Sequence, residues 1–278
     1  FIGNRAGRNG GGMANYNNSS PRLFNVIFQS NTANTGGGIY NNSGSPELEN
    51  VKFIGNLSST SGGGVYNQNG SSPIIRNSEF RGNVSLGGIS GIQGGGGLAN
   101  AGGEPILTNV LFSGNRAVAN SARGGAILNN GASPNLTNVT ISGNEAFTGG
   151  GIFNTQRTSI PKIRNTVIWN NKDNTGIGTA TAGLNDFNLS SSMIEYSLIQ
   201  GLNPAGDGNL DGTVVSNDPL FETPITDFAT LPTTAGDFSL QGTSPVINQG
   251  NVGTDLALFS GGPDAPLDLA GSPRLNAA

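Results

Sequence analysis

A chain of 278 residues with 46 glycines, 34% hydrophobic residues and only 11% charged ones is too aliphatic for a disordered polymer, and its glycines follow no three-residue period, which excludes collagen. It has neither cysteine nor histidine, so disulfides, thiolate-zinc sites, histidine triads and histidine metal centres are excluded. A net charge of -4 speaks against nucleic acid or an anionic membrane as a general partner, and no apolar run approaches the roughly 18 residues of a membrane span.

From its first residues the chain repeats itself. "GGGIYNNSGSPELENVKFIGN" (36–56) returns as "GGGVYNQNGSSPIIRNSEFRGN" (62–83). Aligned on this pattern, Pro21, Pro46, Pro73, Pro105, Pro134 and Pro161 form one column. Two residues on stand Leu23, Leu48, Ile75, Leu107, Leu136 and Ile163, and two further on Asn25, Asn50, Asn77, Asn109, Asn138 and Asn165. The next apolar column is Phe28, Phe53, Phe80, Phe112, Ile141 and Ile168, with Phe1 left from an earlier unit and an asparagine three residues beyond each. Met13, Ile39, Val65, Leu98, Ile127 and Ile152 make a further column, each followed two residues later by asparagine.

Successive Phe/Ile positions lie 27, 25, 27, 32, 29 and 27 residues apart, a period that signifies a repeat architecture. Each unit holds three short apolar stretches with period-2 alternation, the mark of strands, and none has helical periodicity. Leu48 and Asn50 are expected to point inward, and so are Val51 and Phe53, so the chain must turn a corner at Asn50. Three strands and three corners per unit describe one coil of a parallel β-helix, in which like residues stack about 4.8 Å apart. The phenylalanines then form an aromatic ladder and the corner asparagines an amide ladder. Glycines ahead of the Ile39 column supply positive φ or close backbone approach, and proline opens the second strand. The extra residues of the longer units, "VSLGGISGIQGGGG" and "RAVANSARGG", are expected at one corner.

The repeat resembles the right-handed parallel β-helix repeats of large bacterial surface proteins, including the "GGAI … FxxN" repeats of polymorphic outer-membrane autotransporters; Gly124-Gly125-Ala126-Ile127 and Phe112…Asn115 carry the match. "NDPLF" (217–221), "GDFSLQGTSPVINQG" (236–250) and "DLAGSPR" (268–274) look like the terminal module of β-helix proteins with a choice-of-anchor domain. The expected fold is all-β: a right-handed parallel β-helix of about 7–8 coils of 25–32 residues with a loop-rich C-terminal cap. Its repeats occupy 1–202, degenerate after 171, and a capping or anchor-type module occupies 203–278. The resemblance implies a fragment of a longer secreted bacterial protein, extracellular or on the outer cell surface.

The proline-rich tail offers Phe221, Phe228, Phe238, Leu240, Val246 and Ile247 to cap the last coil, whose edge and apolar end need cover. No aspartate precedes Asp173. "DGNLDGTVVSND" then places Asp207, Asn209, Asp211 and Asp218 in the D-x-N-x-D-G…D pattern of a calcium loop, oxygen ligands alternating around a glycine turn. Pro219 follows at once and no helices flank it, so an ordinary polar turn stands beside calcium as the other reading, and no other cofactor is indicated.

Two functions compete. The first is a non-enzymatic structural or adhesive stalk, whose outward column Ala14, Tyr40, Tyr66, Ala99, Leu128, Phe153 could meet a protein or glycan partner, chiefly through Tyr40, Tyr66 and Phe153. Partial shielding of that column by corner loops is the alternative. The second is a polysaccharide-binding or polysaccharide-degrading protein, a lyase or hydrolase. Glycosidases need paired carboxylates at a set separation, yet Glu47, Glu49, Glu79, Glu104 and Glu145 are scattered and only Glu47 and Glu49 are close. Arg76 and Arg164 share a column without acids between them. No catalytic residue is assigned. Threonine ladders for ice, G-G-x-G-x-D calcium rolls and phosphate loops are absent, and the sequons at Asn56, Asn135 and Asn138 are expected by chance in so asparagine-rich a chain. End-to-end or filament assembly is the remaining expectation for partners; nucleic acid and membrane insertion are not expected.

Overall fold

The computed structural model describes residues 1–87 and 93–251. It is a parallel β-solenoid of about 7 turns. One sheet stacks Met13–Asn15, Ile39–Asn42, Val65–Gln68, Leu98–Ala101, Ile127–Asn130, Ile152–Thr155 and Leu184–Asp186, each pairing in parallel with its equivalent one turn away. A second sheet holds the proline-led strands, from Arg22–Phe24 through Ile74–Arg81 and Ile106–Ser113 to Met193–Glu195. A third is made of two-residue strands: Thr32–Ala33, Leu57–Ser58, Val84–Ser85 and Arg116–Ala117.

The aligned columns are the paired columns. Leu48 pairs Ile75 and Leu23, and Phe53 pairs Phe28 and Phe80. The phenylalanines stack face to face as expected: Phe1 on Phe28 at 4.7 Å, Phe28 on Phe53 at 5.3 Å, Phe53 on Phe80 and Phe80 on Phe112 at 4.5 Å. One continuous apolar core runs the length of the coil, built from these rings and the Leu48, Ile39 and Val51 columns.

One detail at the corner differs from the sequence reading. Asn50 is exposed, with φ +52°, and so turns its side chain outward; Val51 alone continues inward after Leu48. Asn25, Asn77, Asn109, Asn138 and Asn165 share that left-handed backbone, which asparagine tolerates better than other side chains. These corner amides do bond between turns, Asn109 Nδ2 donating to Asn77 Oδ1 at 2.6 Å. The two fully internal ladders lie elsewhere. Asn15, Asn41, Asn67, Asn100, Asn129 and Asn154 form one, each Nδ2 donating to the next Oδ1 at 2.8 Å. Asn31, Asn56, Asn83, Asn115, Asn144 and Asn171 form the other, each Nδ2 donating to the next Oδ1 at 2.9–3.0 Å. Asn56, the first sequon, is thus inside and closed to glycosylation.

The glycine triplet permits the close approach at the third corner. Gly62 has φ +66°, and a Cβ on Gly63 or Gly64 would lie 2.3 Å from Gly96 O or 2.6 Å from Gly97 O. The insertion "RAVANSARGG" lies at this corner, between the third and first sheets, as expected, while residues 88–92 of the other insertion lie outside the described residues. The sixth turn inserts a hairpin, Lys172–Asp173 against Gly176–Ile177, and a four-residue helix, Ala180–Gly183.

The tail departs from the simple cap. The last turn is closed by residues 200–213: Leu202 packs on the core and Gly212 N donates to Leu202 O. Phe221, Phe228, Phe238 and Val246 instead lie on the flank of the coil. Phe221 packs with Trp169 and Leu198, and Phe228 with Ile225 and Leu231. From there the chain runs back along the solenoid as a strap. Ile225 O accepts from Asn170 Nδ2, Leu231 O from Arg116 Nη1 at 3.3 Å, and Gly236 O from Arg81 Nη1 at 3.0 Å. The strap crosses the corner glycines Gly143, Gly114 and Gly82; a Cβ on Gly114 would meet Thr233 O at 2.0 Å. Leu240 and Ile247 are 38% and 37% exposed and so contribute little cover. The "DLAGSPR" stretch lies outside the described residues.

Candidate functional site

The described surface has a shallow groove on the third-sheet side, with a cavity of about 200 Å³ lined by Arg116–Asn120, Glu145–Phe147 and Lys172–Asn174. Register builds it. The column that runs through Arg5, Thr32, Leu57 and Val84 continues as Arg116, Glu145 and Lys172. A parallel ladder puts these one strand spacing apart, so Glu145 sits between two cations. Its Oε1 lies 2.7 Å from Lys172 Nζ and its Oε2 2.9 Å from Arg116 Nε. The arginine is out of line with Oε2, which is buried and accepts no hydrogen bond. Both cations also reach the strap: Arg116 binds Leu231 O, and Lys172 Nζ stands 5.6 Å from the centre of the Phe228 ring.

The second carboxylate in the groove, Asp173, is 4% exposed. Its Oδ1 accepts from Thr175 N at 2.8 Å and Thr175 Oγ1 at 2.5 Å, while Oδ2 is buried without a donor. Beside the charges stand Val118 and Phe147, 43% and 44% exposed, one turn apart. Glu145, Asp173 and Phe147 were all visible as aligned positions of successive units, but a search for acids close in sequence passes over residues one turn apart.

The expected site residues fare differently. Tyr40 is 4% exposed and Phe153 1%, while Tyr66 is half-buried. Tyr66, Ala99, Leu128 and Phe153 form a small apolar cluster of their own. Phe153 lies under Phe187, whose ring centre is 5.8 Å away, and under the Arg123 guanidinium at 5.1 Å. Tyr40 stacks on Tyr66 and meets Tyr16 at a tilt, and burial, with those two phenols, pushes its own phenol above the usual 10. Among the described residues the column is therefore buried at Tyr40 and from Ala99 to Phe153, half-buried at Tyr66 and exposed at Ala14, with Tyr16 exposed beside it.

The D-x-N-x-D-G stretch is drawn out around the closed end of the coil rather than gathered. Asp207 O accepts from Tyr196 N. Asn209 Oδ1 accepts from Ser197 N at 3.0 Å and its Nδ2 donates to Ile194 O at 2.9 Å. In doing so Asn209 extends a rung pattern: Ser78 Oγ, Thr166 Oγ1 and Ser197 Oγ each accept from the preceding turn's backbone N–H and donate to the carbonyl two residues earlier. Its carboxamide thus imitates the next coil. Asp211 Oδ1 and Asp218 Oδ1 close separate turns onto Thr213 N and Leu220 N. Among the described residues no group of three or more carboxylates that could hold a metal ion occurs.

Three other carboxylates of the coil are spread along it in ion pairs between turns. Glu47 pairs Arg22 at 2.8 Å, Glu79 pairs Lys52 at 3.0 Å as well as Arg81 at 2.6 Å within its own strand, and Glu195 pairs Arg164 at 2.7 Å. Glu49, the neighbour of Glu47, is in register with Arg76. Among the described residues no helix is long and apolar enough to cross a membrane.

In comparison with protein families, the family described as "Right handed beta helix region" matches residues 37–218, about two thirds of the chain. No curated protein and no solved structure matches it.

Proposed function

Since the chain belongs to the right-handed β-helix family, which contains both structural and polysaccharide-active proteins, we propose that it serves as a non-enzymatic, rigid segment of an extracellular or outer-surface bacterial protein, structural or adhesive in role. The observation that carries this reading is the placement of the carboxylates. Glycoside cleavage needs two of them facing one substrate bond. Here Glu47, Glu79, Glu145 and Glu195 each meet a cation of a neighbouring turn. Asp173, the acid nearest Glu145 in the groove, is 4% exposed and turned onto Thr175. Fold alone supports neither class.

A rod needs cohesion along its axis, and the internal asparagine ladders, phenylalanine stack and side strap all act in that direction. The polysaccharide reading keeps one supporting observation, the mixed-charge groove. The test is incubation of the full chain with a panel of plant, bacterial and host polysaccharides, reading reducing ends, unsaturated uronate absorbance and binding together. The rod reading expects no product; sustained release of either product from any polymer would overturn it.

A further inference from the structure

We propose that Asn69 is a site of spontaneous covalent modification, at which the Gly70 amide attacks the side chain and converts it to aspartate or isoaspartate, with water as the only reagent. This goes beyond the rod reading and does not rest on it.

The chemistry favours an asparagine followed by glycine, because a Cβ on the second residue would obstruct its own amide nitrogen. Asn-Gly occurs three times, at Asn9-Gly10, Asn69-Gly70 and Asn130-Gly131. The three pairs differ in the state of the glycine N–H, the nucleophile. Gly10 N donates to Thr35 O at 3.0 Å and Gly131 N to Thr155 O at 3.1 Å, each a bond between turns of the coil. Gly10 is also buried and Gly131 half-buried. Asn69 and Gly70 are both exposed, and Gly70 N donates to no partner among the described residues.

Local backbone accounts for the difference. Asn69 has φ +54° and Gly70 φ +75°, the two left-handed residues of a type I′ turn. Ser71 N closes that turn on Gln68 O at 3.3 Å, which leaves the Gly70 amide outside the turn's own hydrogen bond. At the other pairs only the glycine is left-handed. There the asparagine stays in register with the turn beside it, Asn9 with Thr35 and Asn130 with Thr155, and carries the glycine N–H into the ladder.

The reaction balances without a further reactant. Gly70 N gives its proton to solvent base and bonds to Asn69 Cγ, the Cγ–Nδ2 bond breaks, and ammonia leaves behind a succinimide ring. Water then opens the ring at Cγ, which gives aspartate, or at the Asn69 main-chain carbonyl, which gives isoaspartate. One restraint must yield first: Asn69 Nδ2 donates to Asn42 Oδ1 at 2.7 Å. Isoaspartate lengthens the backbone just ahead of Ser72, whose N–H binds Ser45 Oγ at 2.9 Å and whose Oγ accepts from Glu104 N at 2.9 Å. That product therefore pulls on bonds that join three turns.

The test is incubation of the full chain in mildly alkaline buffer, folded and in urea. The three pairs are followed by mass spectrometry in the tryptic peptides 9–22, 53–76 and 124–157, with electron-transfer fragmentation to tell isoaspartate from aspartate. In the folded chain Asn69 should convert at least about fivefold faster than Asn9 or Asn130, whose glycine N–H must first leave a hydrogen bond. In urea the three rates should converge. Asn42→Ala, with circular dichroism unchanged, should speed conversion at Asn69 by roughly two- to tenfold and leave the other two pairs as they were. Equal rates at the three pairs in the folded chain would overturn the site. So would a ranking that persists in urea, or conversion at Asn69 that Asn42→Ala leaves unchanged or slows.

Discussion

Removing a single amide from the interior ladder, Asn83→Ala, should cost more than most substitutions that leave the hydrophobic core untouched. Asn83 is fully buried. Its Nδ2 donates to Phe53 O at 2.8 Å and Asn115 Oδ1 at 3.0 Å, and its Oδ1 accepts from Asn56 N at 3.0 Å and Asn56 Nδ2 at 2.9 Å. Alanine deletes all four bonds. At roughly 1 kcal/mol net for each that is about 4 kcal/mol, and the Asn56 amide left without an acceptor inside the protein adds to it. Asn56 Nδ2 keeps its bond to Phe28 O at 2.8 Å, which limits the damage on that side. A loss of about 3–5 kcal/mol is expected, a large share of the roughly 5–15 kcal/mol that stabilises a folded domain. Asn83→Asp should be no milder, because a carboxylate sets an oxygen against Phe53 O and Asn115 Oδ1, where a donor is required. The assay is urea unfolding followed by circular dichroism, with hydrogen exchange at the Asn56 amide to detect a local opening, since solenoids can open turn by turn. A loss below about 1 kcal/mol with unchanged Asn56 protection would refute the argument that the ladder holds the turns together.

Four further outcomes follow from the same geometry. Asn50→Gly should cost up to about 1 kcal/mol in urea unfolding, for the bond Asn50 Nδ2 donates to Asn25 Oδ1, and Asn50→Ala about 1 kcal/mol more, because φ +52° strains a side chain with no local compensation. Gly64→Ala should destabilise by about 1–3 kcal/mol or more by the same measurement, its Cβ meeting Gly97 O at 2.6 Å and Phe80 Cδ1 at 2.9 Å. Phe221→Ser should loosen the strap where it covers the single tryptophan, so Trp169, now 8% exposed, should emit further to the red and be quenched more by acrylamide. Burial alone would raise the Glu79 carboxyl, but the bonds and charges of Arg81 and Lys52 outweigh it and hold the group below 4.5. Its contribution is therefore complete above about pH 4.5 and lost as pH falls through the lower folded value, so the stability gap to Glu79→Gln, from unfolding curves at a series of pH values, should be constant above 4.5 and close below it.

The repeating part of the fold was legible because a parallel solenoid turns stacking into spelling. Phe28, Phe53, Phe80 and Phe112 occupy one column in the sequence because they occupy one stack in space. The error at Asn50 has a definite source. Alternation predicts in or out only while the backbone stays extended, and a residue with positive φ leaves that rule for one step. Shielding of the Phe153 column by corner loops was one of the two readings open from the sequence, but the residues that supply it were illegible. Its cover, Arg123 and Phe187, comes from non-repeating corner loops that no column predicts.

The strap and the groove share this second origin, and they point to where function sits in such a chain. Positions that repeat are fixed by the neighbour above and below, so they carry cohesion and leave little room for anything else. Arg116, Glu145 and Lys172 share a column with Arg5, Thr32, Leu57 and Val84, which holds no fixed residue type, and Phe147 stands where an earlier turn has Ser59. The strap lies over corners where Gly82, Gly114 and Gly143 leave its backbone room to approach. A departure from the repeat is thus free of the stacking constraint and open to selection for a partner.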